Sequence, residues 1–328
     1  MKTRDEDTTG IEIPLAPAGP ARLYALQLRL RPIQQGTLMP FSGELVHGAF
    51  LHWLEAAAPE VAKWLHDGNK RRVFTCSSLH FNRPAHALLR AERENIHLPL
   101  DPQETYSVRL TLLLGELFPL FQQALTHFDV SHLGASTPPF LKLGKQLFLL
   151  EEVIVNNDDP ASWTGFTSLA DLVEQARQAR FHREATLTLD FATLTVFNSG
   201  SKKVGYGPHP LMLPLPMFVF KNLARRWGDI APPELVDMVQ AERLEQYLQE
   251  DGVIIVDYDL KPHYVRFTTH QQRGFLGSCT YQLRGPDEPP TAEAPLTLRQ
   301  QIVLLAHLAF YSGIGYKTAM GLGRARLR

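Results

Sequence analysis

The chain ends on a segment suited to contact with an anion: Gly313-Ile-Gly-Tyr-Lys-Thr-Ala-Met-Gly-Leu-Gly-Arg-Ala-Arg-Leu-Arg328. Gly313, Gly315, Gly321 and Gly323 are interleaved with Lys317, Thr318, Arg324, Arg326 and Arg328, and no acid interrupts them. Glycine permits turns closed to other residues and lets a ligand approach the main chain. Exposed amides in such a loop hold anions, and the flanking cations suit a phosphate backbone. The chemistry implied is recognition of a phosphate-rich partner, with RNA the leading candidate. A nucleotide-binding phosphate loop is disfavoured, because Lys317-Thr318 follows a helical stretch instead of preceding one and the glycine spacing differs.

The rest of the composition narrows the class. The chain has 328 residues, 44% hydrophobic and 20% charged, as expected of folded globular protein long enough for two domains. No apolar run reaches membrane-spanning length, and Asp5, Glu6 and Asp7 stand where a signal peptide needs an apolar core. A cytoplasmic protein with no membrane partner is expected. Cys76 and Cys279 supply neither a disulfide framework nor a Cys-rich metal site. His47 and His52 are five apart, outside the one-turn register of a helical metal pair. No metal and no cofactor are expected. With 33 basic and 34 acidic residues the net charge is −1, so any nucleic-acid track is one local basic face.

Elements must position that face. Residues 1–20, polar then Pro-rich, read as a flexible arm. Residues 24–31 alternate as a strand. Ser42 stands where it would cap a helix from Gly43 to Ala56. Pro59 starts a second, short helix ending near Leu65 and His66, with Gly68 as its stop. Strands are expected at 72–81 and 106–114, a helix at 120–128, and a strand or hairpin at 142–156. The order strand, helix, strand, strand, helix, strand is that of one ferredoxin-like unit, here 21–156. A connector, 157–182, carries a helix at 169–180. The second unit, 183–328, repeats the order loosely: a strand at 185–197, a basic Gly-Ser loop at 198–207, helices at 217–227 and from Pro233 to Leu248, strands at 252–258, 261–269 and 274–283, a helix at 298–311 and a closing strand. The predicted fold is α+β, two ferredoxin-like (RRM-like) domains in tandem, with helices packed on one face of antiparallel sheets.

The whole chain resembles the CRISPR precursor-RNA processing endoribonucleases of the RAMP (repeat-associated mysterious protein) superfamily. The resemblance lies in Gly48-Ala-Phe-Leu-His-Trp-Leu54 and Pro59-Glu-Val-Ala-Lys-Trp-Leu-His-Asp67 with Val73-Phe-Thr-Cys76 after them, in Gly274-Phe-Leu-Gly-Ser-Cys-Thr-Tyr281, and in the C-terminal glycine segment. It implies paired ferredoxin-like domains and metal-independent cleavage of repeat RNA, often with the product retained as guide RNA for an interference complex.

The resemblance also implies roles. A histidine closing the second N-terminal helix is often catalytic, and the matching residue is His66. A basic residue shortly after it often assists; Arg72 fits best, with Lys70 close by. Some members use a tyrosine on the first helix, where this chain has Leu51 with His52 beside it, so His52 is the candidate second titrating group. The chemistry is attack of a ribose 2′-hydroxyl on the adjacent phosphate. It needs a base, an acid for the departing 5′-oxygen, and cations where charge builds. The ends left would be a 2′,3′-cyclic phosphate and a 5′-hydroxyl. Lys202, Lys203, Arg225 and Arg273 join the glycine segment as backbone contacts, which position RNA and do not read it. The expected partners are CRISPR repeat RNA, processed guide RNA and interference-complex subunits; the expected state is monomer or homodimer. The competing reading is a non-catalytic RAMP subunit that holds guide RNA.

Overall fold

Strand β1 (Arg22–Pro32) shows why the sheet it founds has two unlike faces. This computed structural model describes residues 22–66, 73–126, 139–156, 162–181, 185–199, 209–285, 290–291 and 294–328. In it, β1 pairs antiparallel with a later strand so that Leu26 faces Leu110, Leu28 faces Val108 and Leu30 faces Tyr106. These pairs point to one side, and Gln27–Arg109 and Arg29–Ser107 to the other.

The first half continues with β2 (Gly36–Leu38), α1 (Gly43–Ala57), α2 (Pro59–His66), β3 (Phe74–Cys76), α3 (Ala85–Glu94), β4 (Leu98–Leu100), β5 (Tyr106–Leu112), α4 (Leu117–Thr126), β6 (Phe140–Leu143) and β7 (Gln146–Ile154). Its sheet runs β3-β5-β1-β7-β6. Helix α1 buries Val46, Phe50, Trp53 and Leu54, and Phe50 packs on Phe74 at 4.7 Å. Phe74 shares the apolar face through its register with Leu112, so the helices cover that face and leave the polar one.

Strand β8 (Gly165–Ser168) returns to β1, and α5 (Leu169–Gln178) follows it. Ser168 and Asp171 close a capping box at the α5 start. The second half comprises β9 (Thr186–Thr195), β10 (Phe197–Ser199), β11 (His209–Leu211), α6 (Pro216–Ile230), α7 (Pro233–Val236), α8 (Ala241–Gln249), β12 (Val253–Arg266), β13 (Gln271–Leu283), α9 (Leu298–Ser312), a 3-10 turn at Thr318–Met320 and β14 (Ala325–Leu327). Its sheet runs β12-β13-β9-β14. Each main sheet thus places its second, third, first and fourth core strands side by side, an α+β arrangement consistent with ferredoxin-like folds.

The halves join through α9. Its last turn leaves carbonyls without helical partners. Arg109 Nη2 donates to Phe310 O at 2.6 Å and Thr111 Oγ1 to Tyr311 O at 2.7 Å. Both donors come from the polar face of the first sheet. A cation at the negative end of a helix is favoured, which explains how a fully buried arginine is tolerated there. The β12–β13 hairpin also reaches across. Thr268 donates from its amide and hydroxyl to Glu44 Oε2 at the α1 start, and His263 Nε2 lies 2.5 Å from Glu92 Oε2 of α3.

Several expectations are corrected. Ser42 makes no side-chain cap to α1; its hydroxyl accepts from Leu79 N at 2.9 Å and so binds the helix start to the segment after β3. The strand expected at 72–81 is only three residues long. Helix α3 and the β2–β4 pair were not anticipated: α3 buries Ala91 and packs only Leu88 partly against the core, a narrow apolar face. The two strands expected at 252–258 and 261–269 are one, bulged between Ile255 and Asp257. Pro262 is tolerated because β12 is an edge strand. The single helix expected from Pro233 to Leu248 is split into α7 and α8. Pro119 lies inside the first turn of α4, which begins at Leu117. The N-terminal arm and much of the Gly-Ser loop lie outside the described residues.

Candidate nucleic-acid interface

The glycine segment is held from both sides. Its four glycines all have positive φ, at 61°, 91°, 89° and 68° in chain order, so each uses freedom that side chains lack. Gly323 is the tightest: a Cβ there would stand 2.0 Å from Ile314 O. Gly323→Ala should therefore lower the thermal midpoint, with about 1–2 kcal/mol lost to the left-handed backbone alone and more to the clash. Gly48→Ala in α1, with nothing within 4 Å of the new methyl, should change stability the other way. Thermal unfolding of the two variants checks both signs.

The glycine amides of the segment are spent inside the protein. Gly313 N donates to Ala309 O, Gly323 N to Leu194 O, Tyr316 N to Val196 O, and Gly315 N to Asn222 Oδ1 of α6 at 2.8 Å. The Gly321 amide faces the Cys76 sulfur. The expectation of an open amide cradle is corrected: the glycines let the segment thread between β9, α6 and β3, and side chains are what remains for a ligand. The 3-10 turn docks on the first half. Ala319 O accepts from His47 Nδ1 at 3.0 Å and from the Cys76 thiol at 2.8 Å. Burial pushes that thiol well up, so it stays a protonated donor.

The cations separate into two groups. Lys317 Nζ sits 3.8 Å from the centre of the Phe267 ring and 3.1 Å from His270 Nε2, at the tip of the β12–β13 hairpin. Burial lowers its pKa, and Glu44 opposes the shift. Thr318 is buried and its hydroxyl accepts from Arg226 Nη2 at 3.0 Å. The arginines of β14 gather elsewhere, around Trp163. The guanidinium carbons of Arg324 and Arg326 lie 4.6 and 4.5 Å from the Trp163 ring centre. Arg109 lies 5.6 Å from it and donates from Nε to Trp163 O. Phe310 stacks on the same indole at 5.8 Å. Cation–π contact of this kind strengthens as it is desolvated. Burial first, then neighbouring arginine charge, draws Arg109 down to about 9 and Arg324 to about 10. Arg324 Nε finds no hydrogen-bond acceptor among the described residues. His80 is lowered by burial and then by Arg324. A seam this rich in buried positive charge suits an anion.

His66 closes α2, exposed, above buried Leu65, Ala62 and Val61. His52 is also exposed on α1, 3.8 Å from Glu55. Arg225 is exposed on α6 and Arg273 on β13. Lys70, Arg72, Lys202 and Lys203 lie outside the described residues. The Trp163 cluster was not foreseen: Trp163 falls in the connector with no pattern to flag it, and Arg109 reads only as an outward position of a strand.

Residues 189–325 match the family model described as CRISPR-associated endoribonuclease Cas6. A Streptococcus thermophilus protein of that description is 28% identical over 139 residues, 42% of this chain and 48% of that protein. The match therefore spans about half of the curated relative's length. A Thermus thermophilus Cas6 in a product complex agrees with this chain at a TM-score of 0.70 and 25% identity, over 93% of this chain and 100% of that one. The second half of the chain thus matches the Cas6 family model, and the fold is similar to that of Thermus thermophilus Cas6. A second structure of the Thermus thermophilus Cas6 agrees in fold at a TM-score of 0.60 and 23% identity, over 95% of this chain and 100% of that one. No helix among the described residues is long and apolar enough to cross a membrane.

One pH dependence follows from the cleft beside this seam. His307 of α9 lines it with Arg22, Asp171, Glu174 and Arg326, and burial lowers its pKa from 6.5. The native state then holds fewer protons than the unfolded chain between the lowered value and about 6.5. This share of stability is full above the unfolded value and falls as pH drops through the folded one. Urea midpoints should decline from pH 7.5 to pH 5, and His307→Gln should flatten the decline.

Proposed function

We propose that the chain belongs to the Cas6 family of the RAMP superfamily and is a cytoplasmic endoribonuclease that cuts CRISPR repeat RNA in a precursor transcript without a metal. Its ferredoxin-like units, 21–156 and 183–328, lie on either side of the connector 157–182, and the RNA runs over the seam where they meet. The observation that carries this reading is the likeness to a Cas6 product complex over 93% of the chain.

The 2′-hydroxyl beside the scissile phosphate loses its proton to a base and attacks phosphorus. The 5′-oxygen leaves with a proton, giving a 2′,3′-cyclic phosphate and a 5′-hydroxyl. His66 is assigned the acid–base work, since imidazole titrates near neutrality. His52 is the second candidate. Lys70 and Arg72, close after His66 in sequence, are assigned to the charge developing on phosphate. Lys317, Arg324 and Arg326, with Arg225, Arg273, Lys202 and Lys203, are assigned to the RNA backbone. Thr318 and the glycines shape the segment that presents them. Guide RNA is the retained product, and interference-complex subunits are the further partners.

The test is purified protein with its cognate repeat RNA in EDTA. One discrete cut with a cyclic phosphate end supports the reading. Tight binding without a cut makes the chain a subunit that holds guide RNA, and no binding removes both.

A further inference from the structure

A cleft of about 930 Å³ opens between β8, α5, α9 and β14, beside the Trp163 seam. Its volume lies at the upper end of the roughly 300–1,000 Å³ typical of small-ligand sites, so it takes a nucleotide or two and not a helical turn.

Its lining has a pattern. Antiparallel pairing of β1 with β8 sets Arg22 opposite Ser168 and Tyr24 opposite Phe166. Phe166 remains 43% exposed and tilts against Tyr24 at 6.4 Å, which itself stacks on Phe118 at 4.3 Å. An aromatic ring is thus braced from behind and presented to the cleft. Arg22 enters from β1 and Arg326 from β14, the latter held over Trp163 at 4.5 Å. Two carboxylates share the lining, and both are engaged. Asp171 accepts from the Ser168 amide in the α5 capping box, and Glu174 accepts from Arg177 and Gln178. Gln175 and His307 add hydrogen-bonding groups to the lining.

We propose that this cleft holds an unpaired nucleotide of the bound RNA, its base stacked on Phe166 and its phosphate between Arg22 and Arg326. Stacking on an exposed ring requires a base already outside a duplex, the usual mode of single-strand recognition. RNA is favoured over a separate small nucleotide because Arg326 is shared with the arginine seam, so a chain of phosphates along Arg324 and Arg326 leads into the cleft. The proposal rests on the assigned RNA-binding function and adds to it a site on the connector, where the sequence marks none.

The experiment uses the full chain and cognate repeat RNA with single-stranded flanks and a 2′-deoxy at the cut position. 2-Aminopurine is placed at each unpaired position in turn. Wild-type protein should change the fluorescence of one position or two adjacent ones. Phe166→Ala should abolish that change and weaken binding about tenfold, within the span of base–aromatic stacking, and Phe166→Tyr should restore it. Arg22→Gln, an exposed substitution, should reduce the salt slope of binding by about 0.7, one single-strand phosphate contact. Thermal midpoints of the variants establish that they are folded. If wild-type protein binds the RNA but neither Phe166→Ala nor Arg22→Gln alters signal or slope, the cleft assignment is wrong and the RNA function stands. If free mononucleotide binds the cleft and flanked RNA does not compete, the RNA assignment is overturned. If wild-type protein binds no repeat RNA, both readings fall.

Discussion

Repeat RNA carrying one 2′-deoxyribose at the scissile position should bind this protein as tightly as all-ribose RNA and yield no product at that bond. The effect should exceed that of any side-chain substitution. Removing a general acid or base costs about 10²–10⁴ in rate, because water or another group still moves the proton. Removing the 2′-oxygen takes away the nucleophile, and no residue of the chain replaces it. Binding should persist because the assigned contacts at Lys317, Arg324 and Arg326 are to phosphate, which the substitution leaves in place. Gel analysis of end-labelled RNA in EDTA, with filter binding on the same samples, reads both quantities. A cut at the same bond in the deoxy RNA would mean that water is the nucleophile, and the assignment of His66 to the 2′-hydroxyl would go with it.

What the sequence showed depended on how each residue does its work. The alternation of Tyr24 to Arg31 is a local signal, and β1 stands where that signal places it; the stripe of Leu45, Ala49, Phe50 and Leu54 places α1, but Leu45 is left 36% exposed and the buried face runs through Val46, Phe50, Trp53 and Leu54. The glycines of the C-terminus were legible as special backbone, but their task was not. Open amides and engaged ones look alike in sequence, because three of the four partners, Leu194, Asn222 and Cys76, come from distant elements. Arg109 shows the same limit. Its strand position says only that it points away from Val108 and Leu110; that it meets the end of α9, 201 residues later, belongs to the packing of the halves. Helix α3 was missed for the opposite reason. It is held by polar contacts such as Glu92–His263, which carry no periodic mark.

The seam explains why cation and glycine lie together in one short segment. β14 is only three residues long and pairs through Ala325–Phe191, Arg326–Asp190 and Leu327–Leu189. Three residues give little strand energy, so the position of Arg324 and Arg326 depends on what precedes them. The threaded glycines and the Ala319 contacts to His47 and Cys76 supply that anchor, and Trp163 receives the guanidinium groups at its end. A ligand contacting these arginines would therefore meet both halves and the connector at once.

His66→Ala should cut repeat RNA about 10²–10⁴ more slowly and bind it within about threefold of wild type, a change below 1 kcal/mol. The side chain is exposed at the end of α2, whose anchorage is Val61, Ala62 and Leu65, so its loss should leave the helix in place. The arginines gathered at Trp163 and Lys317 at the hairpin tip belong to other elements, so binding has other sources. His52→Ala, altering a residue that faces solvent beside Glu55, should slow cleavage much less. Single-turnover cleavage separates these outcomes from binding. Equal loss of binding and cleavage in a folded His66→Ala protein would make His66 a contact residue, and undiminished cleavage would move the acid–base role to another group.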